Sequence, residues 1–374
     1  MRARVTQKLT PAQRTAWLRL ARSDNVGPIT FRQLVNRFGS VDAALDALPA
    51  LMRSAGRPFR ITSTSQAEDE ISALQGLGAR VIAMGEADYP EHLMHIPGAP
   101  PVLTVAGGEN LDWHRTVAIV GARNASAAGA KMTRLLTTDL GEAGYVVVSG
   151  LARGIDTSAH RASLTTGTIA VLAGGLDCIY PDENIPLASE ILGYGGALVT
   201  EMPLGWEPRA RDFPRRNRIV SGLSLGTVVV EAAKRSGSLI TARLALEQNR
   251  DVFAVPGSPL DPRAEGGNAL IQQGARLITC AADILETIGG ADPARSMLFE
   301  AEWHPGTDMV PEPPPGADER SRLLTALSTT PTDIEELLAQ TTITPQAMQI
   351  LLLELDLAGQ IEWSSGQLVA LRGA

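Results

Sequence analysis

Eight short apolar runs, rich in valine and isoleucine, recur between residues 81 and 255 and constrain the fold more than any other feature of the sequence. Residues 117–120 (VAIV), 145–148 (YVVV) and 227–230 (TVVV) are typical. Most runs lack strict alternation of apolar and polar residues, as is usual for strands buried on both faces of a parallel sheet. Helix-length segments separate most of them from Val117 onward, as right-handed βαβ crossovers require. The pattern predicts an α/β fold with a doubly wound, mostly parallel sheet, extended at its start by one or two extra strands.

Residues 10–75 precede the sheet and show apolar residues at helical spacing, interrupted by the turn from Asn25 to Pro28. Proline suits the first position of a helix, because its missing N–H would have no partner there. Two helices joined by a tight glycine turn resemble the helix-hairpin-helix and SAM-like modules of DNA-repair proteins. Two interpretations stay open: backbone contact with DNA through the turn, or a small helical packing domain.

The last part of the chain is predicted to form a linker and a winged-helix-like module. Residues 289–317 contain six prolines, which is typical of a stiff, solvated linker. Two capped helices (332–339 and 344–358) and a hairpin (361–369) follow. In DNA-binding winged helices the second of these helices enters the major groove, but here it has no Lys or Arg, and phosphate contact needs cations. We expect this module to bind protein or to regulate rather than to read DNA.

A length of 374 residues fits two or three domains. We expect a helical SAM-like domain at 1–78, the sheet domain at 79–288, the linker at 289–317 and the winged-helix-like domain at 318–374. The net charge of −8 is unevenly distributed: residues 1–60 carry eleven Lys/Arg against three Asp, and residues 318–374 carry three Arg against eight acidic residues. Because a polyanion binds where cations are concentrated, the acidic whole-chain charge does not exclude nucleic acid.

Two cysteines, Cys178 and Cys280, lie far apart in the sequence and have no second N or S ligand near them. A disulfide framework and a metal site are therefore not expected. No stretch approaches the ~18 apolar residues of a membrane span, and the first residues lack the apolar core of a signal peptide. We predict a cytoplasmic protein without a metal or other cofactor.

Gly, Ser and Arg are concentrated directly after the apolar runs, where an open α/β sheet binds its ligands. The residues Gly121, Ala122 and Arg123 follow one strand and precede a helix, whose free N–H groups favour an anion. Residues 149–154 (SGLARG) repeat this arrangement one βα unit later, with Arg153 at a helix start. In both cases the alternative is a connecting turn, with Arg153 paired to Asp156. The dinucleotide signature Gly-x-Gly-x-x-Gly is absent, which counts against NAD or FAD.

The segment 209–218 contains five arginines and the aromatic ring of Phe213. Arginines neutralise phosphates, and a neighbouring ring can stack on an unpaired base for ~1–3 kcal/mol. The segment therefore indicates single-stranded nucleic acid, although Phe213 could instead fill the core. Residues 234–238 (KRSGS) follow the next strand and cap a helix at the same sheet edge.

Catalytic signatures are missing from the sequence. There is no Ser-His-Asp set, Walker loop or metal cluster, and His160 is a lone histidine on a helix. Glu231, at the end of its strand, is the residue on which an enzymatic alternative would depend.

Four motifs in order, at 149–160, 216–222, 236–242 and 255–257, resemble the DprA (Smf) family of bacterial DNA-processing proteins. The resemblance covers about 89–285, and the two flanking modules also match some members. It implies an extended Rossmann-like domain that binds single-stranded DNA, forms a homodimer and helps to load the RecA recombinase in natural transformation. No catalytic residue is implied.

The family's Gly-Ser/Thr-Arg turn corresponds to residues 121–123, where Ala122 replaces the hydroxyl residue and one phosphate hydrogen bond is put in doubt. The residues expected to contact single-stranded DNA are Gly121, Ala122, Arg123, Ser149, Gly150, Arg153, Phe213, Arg215, Asn217, Arg218, Lys234, Arg235, Ser236, Gly237 and Ser238. The dimer contact of relatives corresponds to Asn268, Ile271 and Leu277, of which the last two would otherwise be core residues.

Two other classes of function are alternatives to this one. Nucleotide phosphoribohydrolases share a related Rossmann fold and couple Gly-Gly with Gly-Thr-x-x-Glu, but residues 226–231 (GTVVVE) are one residue too long for that spacing. A pure scaffold, recruiting partners through the winged-helix-like tail, is the second alternative.

Overall fold

A nine-stranded sheet occupies the middle of the chain in the computed structural model, which describes residues 8–55, 59–289, 316–364 and 368–372. Its strands are β1 (Ala79–Ala83), β2 (Val102–Gly107), β3 (Thr116–Gly121), β4 (Val146–Ser149), β5 (Thr168–Val171), β6 (Ala197–Thr200), β7 (Gly226–Val230), β8 (Asp251–Ala254) and β9 (Arg276–Leu277). The order is β1-β2-β6-β5-β4-β3-β7-β8-β9. The seven strands that follow β2 in this order, from β6 to the edge strand β9, are parallel to one another. Strand β2 is antiparallel to both of its neighbours, β1 and β6. The predicted doubly wound, mostly parallel sheet with extra strands at its start is confirmed.

Helices cover the sheet on both faces, which explains why its strands lack alternation. The helices in this part of the chain are α4 (Thr64–Gly76), α5 (Glu91–Met94), α6 (Ala127–Glu142), α7 (Ile155–Ala162), α8 (Ile185–Gly193), α9 (Asp212–Gly222), α10 (Gly237–Glu247), α11 (Glu265–Gln272) and α12 (Ala281–Ile288), of which α6 to α11 contact the strands. Every residue of β4, β5 and β7 is buried. One core cluster joins Val117 and Ile119 of β3 to Leu136 of α6 and Ile284 of α12.

The strand order reverses between β3 and β7. The chain leaves β3 toward β4 on one side, and β7 is added later on the other side. Such a reversal opens a crevice at the carboxyl ends of the strands, where open α/β sheets bind ligands. The turns after β3 and β7, which hold residues 121–126 and 231–236, flank this crevice.

The described residues form two compact units: a sheet unit of residues 70–289 with Lys8, and a helical unit of residues 9–55, 59–69, 316–364 and 368–372. The predicted linker at 289–317 lies almost wholly outside the described residues. The division into three domains with a linker stays a prediction. No helix in the described ranges is long and apolar enough to cross a membrane.

The helical unit begins with α1 (Pro11–Arg22), α2 (Pro28–Phe38) and α3 (Val41–Ala55). Pro28 is the first residue of α2, as predicted, and Asn25 adopts a left-handed backbone in the turn before it. The later part contains α13 (Ala317–Ala326), α14 (Ile334–Thr341) and α15 (Pro345–Leu357), with strands β10 (Thr332–Asp333), β11 (Ile361–Ser364) and β12 (Leu368–Leu371) paired in the order β10-β12-β11. The winged-helix plan is confirmed, with α13 and β10 added to the predicted helices and hairpin.

Helix α15 is buried on two sides, because one side packs in the winged-helix core and another contacts α2 and α3. Leu351, Leu352, Leu353 and Leu355 are all buried, and a helix that is apolar all round is an interior helix. Asn25 donates from Nδ2 to the Leu357 carbonyl at 2.8 Å, and the Thr30 hydroxyl donates to the Asp356 carboxyl. The helix without Lys or Arg is thus covered by helices of the same unit.

Stability of the helical unit is expected to fall as pH rises through about 6. Burial raises the pKa of Asp356 to about 6, although the hydrogen bond from Thr30 and the charge of Arg372 oppose this. A carboxyl whose pKa is raised in the folded state stabilises that state when protonated, so the contribution is complete below the unfolded pKa and is lost above about 6. Between about pH 5 and about pH 7.5 the loss is about 1 kcal/mol.

Urea unfolding of the full chain and of Asp356→Asn at the two pH values measures this contribution, because other titrating groups cancel in the difference. The variant should lose less stability than the parent as pH rises. Equal losses in the two proteins would contradict the raised pKa.

Candidate functional site

The turns after β3 and β4 are packed against each other at the carboxyl edge of the sheet. The Ile155 amide donates to the Ala122 carbonyl at 3.1 Å. Gly154 has φ +76°, and a Cβ there would lie 2.2 Å from the same carbonyl oxygen. A Cβ on Gly121 would lie 1.9 Å from the Val230 carbonyl oxygen. These glycines therefore permit close approach of backbone to backbone, which places Arg123 at the rim of the crevice.

Glu231 occupies the N-terminus of α6, where the sequence predicted a bound anion. Its carboxylate accepts from the Ser126 amide at 2.9 Å and from the Ser126 hydroxyl, and Gly129 leaves the room for it. The backbone of Glu231 is left-handed, with φ 55°, which is unusual for a non-glycine residue and typical of functional or tightly determined positions. The expected anion at this helix start is thus the chain's own carboxylate, because the turns after β3 and β7 flank the same crevice.

A buried charged network lies beneath the edge. Arg216, which is 5% exposed, donates to the carbonyls of Gly150 and Val171, the latter at 2.6 Å. The Asp156 carboxylate accepts from the amides of Gly150 at 3.1 Å and Ala152 at 3.3 Å. Burial lowers the pKa of Arg216 to about 10 and raises the pKa of Asp156, while each charge opposes the shift of the other. Asp156 is therefore the partner of Arg216 and of backbone amides rather than of Arg153.

His160 belongs to this interior network and is completely buried. Its Nε2 accepts from the Leu151 amide at 3.3 Å, and its Nδ1 lies 2.8 Å from the Thr168 hydroxyl. Burial, with the nearby Arg216 charge, lowers the pKa of His160 to about 3, so the imidazole is neutral. His160 is therefore an interior residue that packs in the network.

Three predicted DNA-contacting arginines pair with carboxylates of the chain. Arg215 and Arg218, three residues apart on one face of α9, both bind Glu201, with Arg215 Nε at 2.9 Å from Oε1. Glu201 is 7% exposed and follows β6 directly. Arg153 forms a bidentate pair with Glu183, with Nη2 at 2.7 Å from Oε1. These pairs reduce the positive charge that the three arginines present.

Arg123 and Phe213 meet at the rim. The Arg123 guanidinium carbon lies 5.4 Å from the Phe213 ring centre, and that of Arg216 lies 5.9 Å from it. The Tyr180 and Phe213 rings form a T-shaped pair, with centres 5.5 Å apart and planes at 68°. Phe213 is half-buried at the start of α9, so it is neither a core plug nor a freely exposed ring.

The turn at 234–238 provides the other exposed cations. Lys234 and Arg235 are exposed, Ser236 caps α10, and Ser238 is buried with its hydroxyl 2.7 Å from that of Ser236. Asn217 Nδ2 donates to the Gly237 carbonyl at 3.4 Å, which ties α9 to this turn. In the described part of the chain no carboxylate pairs with Lys234 or Arg235, and the same holds for Arg123.

Two predicted contact residues are interior. Ser149 is completely buried, and its hydroxyl donates to the Ile119 carbonyl at 2.6 Å. Gly150 is buried against Arg216, where a Cβ would lie 2.7 Å from the guanidinium carbon. Ser149 is the last residue of the buried strand β4, and Gly150 follows it directly. Both residues therefore support the carboxyl edge of the sheet without being exposed on it.

The residues predicted for a dimer contact lie at the opposite end of the strand order from β1. Leu277 is on the edge strand β9 and is 47% exposed, and Ile271 is partly exposed at the end of α11. The Asn268 side chain is engaged within the chain by the turn at Gly257. Its Oδ1 accepts from the Gly257 amide at 3.1 Å, and its Nδ2 donates to the Gly257 carbonyl at 2.9 Å.

An open, mostly parallel sheet with arginine, lysine and aromatic side chains around its switch-point crevice defines a Rossmann-like α/β domain. The chain belongs to the DprA (Smf) family. The family model described as DNA recombination-mediator protein A matches residues 80–289. Models of a DprA-like N-terminal HHH domain and a DprA winged helix domain match residues 11–73 and 307–367.

Relatives cover most of the chain. Protein Smf of Escherichia coli (strain K12) is 37% identical over 369 residues, which is 96% of each chain. DNA processing protein DprA of Bacillus subtilis (strain 168) is 45% identical over 61% of this chain and 76% of its own. The solved structure of DNA processing protein A from Streptococcus pneumoniae, 32% identical, superposes with a TM-score of 0.60 over 75% of this chain and 98% of its own.

A solved structure of DNA processing protein A from Helicobacter pylori, which concerns its single-stranded DNA binding mode, is 27% identical with a TM-score of 0.51. It covers 56% of this chain and 95% of its own.

Sequence reasoning missed three residues that shape this site: Arg216, Glu201 and Tyr180. Arg216 belongs to the basic segment 209–218 and to the 216–222 motif, but neither assigned it to the interior, although its apolar neighbours Ile219 and Val220 indicate which face of α9 is buried. Glu201 directly follows an apolar strand, the same signal that singled out Glu231. Tyr180 lies in a loop without periodicity, so no local pattern predicted its position.

Proposed function

We propose that this protein binds single-stranded DNA across the carboxyl edge of its sheet. The observation that carries the proposal is the exposed Arg123 guanidinium over the Phe213 ring, with Lys234 and Arg235 exposed beyond the same crevice. Guanidinium and ammonium groups neutralise phosphates, and aromatic rings at the same edge stack on unpaired bases. The single-stranded DNA binding mode described for the Helicobacter pylori relative supports this assignment.

The residues predicted from the sequence to contact DNA take three different roles in this proposal. Arg123, Lys234 and Arg235 supply the free cations, and Gly237 and Ser236 present the start of α10. Arg153, Arg215 and Arg218 contribute through pairs that phosphate can share or replace. Gly121, Ala122, Ser149, Gly150, Asn217 and Ser238 hold the edge in shape.

The biological role that we propose is protection of incoming single-stranded DNA and loading of the RecA recombinase during natural transformation and recombination, in the cytoplasm. The description of the matching family model as a DNA recombination-mediator protein supports it. The test is RecA-dependent strand exchange on DNA that is covered by a single-strand-binding protein. Addition of this protein should restore exchange, and no stimulation at any ratio would contradict the role.

Fluorescence anisotropy with a labelled oligothymidylate, and with a duplex of equal length, tests the binding function itself. We expect tighter binding to the single strand at moderate salt and progressive release as salt is added, since phosphate contacts dominate affinity. Absence of binding, or equal affinity for the duplex, would overturn the proposal.

A binding function without catalysis fits the state of Glu231, the one carboxylate on which a nucleotide hydrolase would depend. Both of its oxygens accept hydrogen bonds from Ser126, so they are engaged in joining the turns after β3 and β7. Incubation with nucleoside monophosphates should release no free base. Release that is abolished by Glu231→Gln would establish the hydrolase instead.

We further propose that the protein is a homodimer joined through β9 and α11. An edge strand with a half-exposed leucine is a surface that pairs readily with another chain. Leu277→Asp is expected to yield a monomer in light scattering, whereas Leu246→Asp, at an exposed leucine of α10, should leave the mass unchanged. A parent protein that is already monomeric, or a dimeric Leu277→Asp variant, would rule out this interface.

A further inference from the structure

Tyr180 presents the more exposed aromatic ring at the carboxyl edge. Tyr180 is 50% exposed, whereas most of the Phe213 surface is buried. The Phe213 ring is contacted by the guanidinium groups of Arg123 and Arg216 and by the Tyr180 ring. A base must cover a ring face to gain stacking energy, so these neighbours compete with a base at Phe213.

The loop that carries Tyr180 is held on both sides. Before it, both carboxylate oxygens of Asp177 accept from the Gly205 amide, at 2.9 and 3.0 Å. After it, Asn184 Nδ2 donates to the Leu151 carbonyl at 2.8 Å, and Glu183 forms the ion pair with Arg153. An exposed ring on a fixed loop loses little conformational entropy when a ligand stacks on it.

These contacts also place Tyr180 beside the cations. The 3-10 turn Asp182–Asn184 bonds to the turn after β4, and that turn packs on the Ala122 carbonyl next to Arg123. The Tyr180 ring and the Arg123 guanidinium both contact Phe213. A nucleotide whose phosphate binds Arg123 therefore has an aromatic face within reach of its base.

We propose that Tyr180 is the residue on which an unpaired base of single-stranded DNA stacks, with Phe213 as the ring that supports it and positions Arg123. The proposal rests on the proposed function, since it concerns the same DNA edge. It reassigns the base platform from Phe213, where the sequence suggested it, to a loop residue outside the motifs.

The test compares an oligothymidylate with an oligonucleotide of equal length in which every site is abasic. Both present the same phosphates, but only the first has bases to stack. The full-length parent should prefer the oligothymidylate by about tenfold, the lower range of a single stacked base. Tyr180→Ala should lose most of this preference while its affinity for the abasic strand stays unchanged, which also demonstrates that the variant is folded.

Tyr180→Phe should keep the preference, because the ring rather than the hydroxyl is required. The matched control is Tyr194→Ala: this tyrosine is 61% exposed but lies between α8 and the start of β6, at the opposite edge of the parallel strands. It should bind both strands like the parent.

Retention of the full preference by Tyr180→Ala, or a parent without any preference, would overturn the stacking role while leaving single-strand binding in place. A parent that binds neither strand would overturn the proposed function as well.

Discussion

Replacing Arg216 with methionine is expected to destabilise the sheet unit by about 3–5 kcal/mol. Arg216 is 5% exposed, its guanidinium donates to the carbonyls of Gly150 and Val171, and its charge opposes the rise in the pKa of the buried Asp156 carboxyl. Without it, the carboxylate stays buried without its opposite charge and the two carbonyls lose their donor. Urea unfolding followed by circular dichroism measures the loss.

Arg211→Met is the matched control, because Arg211 lies in the same basic segment but is exposed just before α9. Its effect should stay within about 0.5 kcal/mol. Asp156→Asn combined with Arg216→Met should cost less than the sum of the two single changes, since each single change leaves the other charge unpaired. An Arg216→Met variant as stable as the Arg211 control would contradict the buried network.

Charge reversal at both Arg123 and Lys234 is expected to weaken binding of oligothymidylate by about 100-fold. A hydrogen bond to a charged group contributes about 1.5–3 kcal/mol, so two lost phosphate contacts correspond to at least this factor. Both side chains are exposed and lie on opposite sides of the crevice between β3 and β7. The variant Arg123→Glu with Lys234→Glu should keep the parent's stability.

The control for this change is Lys131→Glu with Arg134→Glu, two exposed cations farther along α6. It alters the net charge equally but leaves the crevice intact. If both double variants lose the same affinity, binding depends on overall charge and the proposed edge is wrong.

Local patterns were sufficient to predict the eight longer strands, because each is specified by its own short apolar run, whereas β9 has only two residues, both exposed, and no such run. The runs at 117–120 and 227–230 lie within β3 and β7, and the prediction of Pro28 at a helix start is also confirmed. By contrast, α13 carries only a weak apolar stripe and β10 has two residues, so no local pattern indicated them.

The site was less predictable, because its charges are decided by partners distant in sequence. Glu231 binds Ser126 across 105 residues, and Arg216 reaches Gly150 across 66. Sequence reasoning identified the arginines and the turns that hold them but could not distinguish Arg215, which pairs with Glu201, from Arg123, which lies over the Phe213 ring. That separation requires the strand order, which places the ends of β6, β3 and β7 along one edge.

The salt dependence of oligothymidylate binding tests the central claim most directly, because its slope counts the phosphates that the protein neutralises. Each neutralised phosphate contributes about 0.7 to the slope of log K against log salt for a single strand. Arg123→Ala should lower the slope by about 0.7 relative to the parent, and Arg134→Ala should leave it unchanged. Equal slopes for the parent and Arg123→Ala would contradict single-strand binding at this edge.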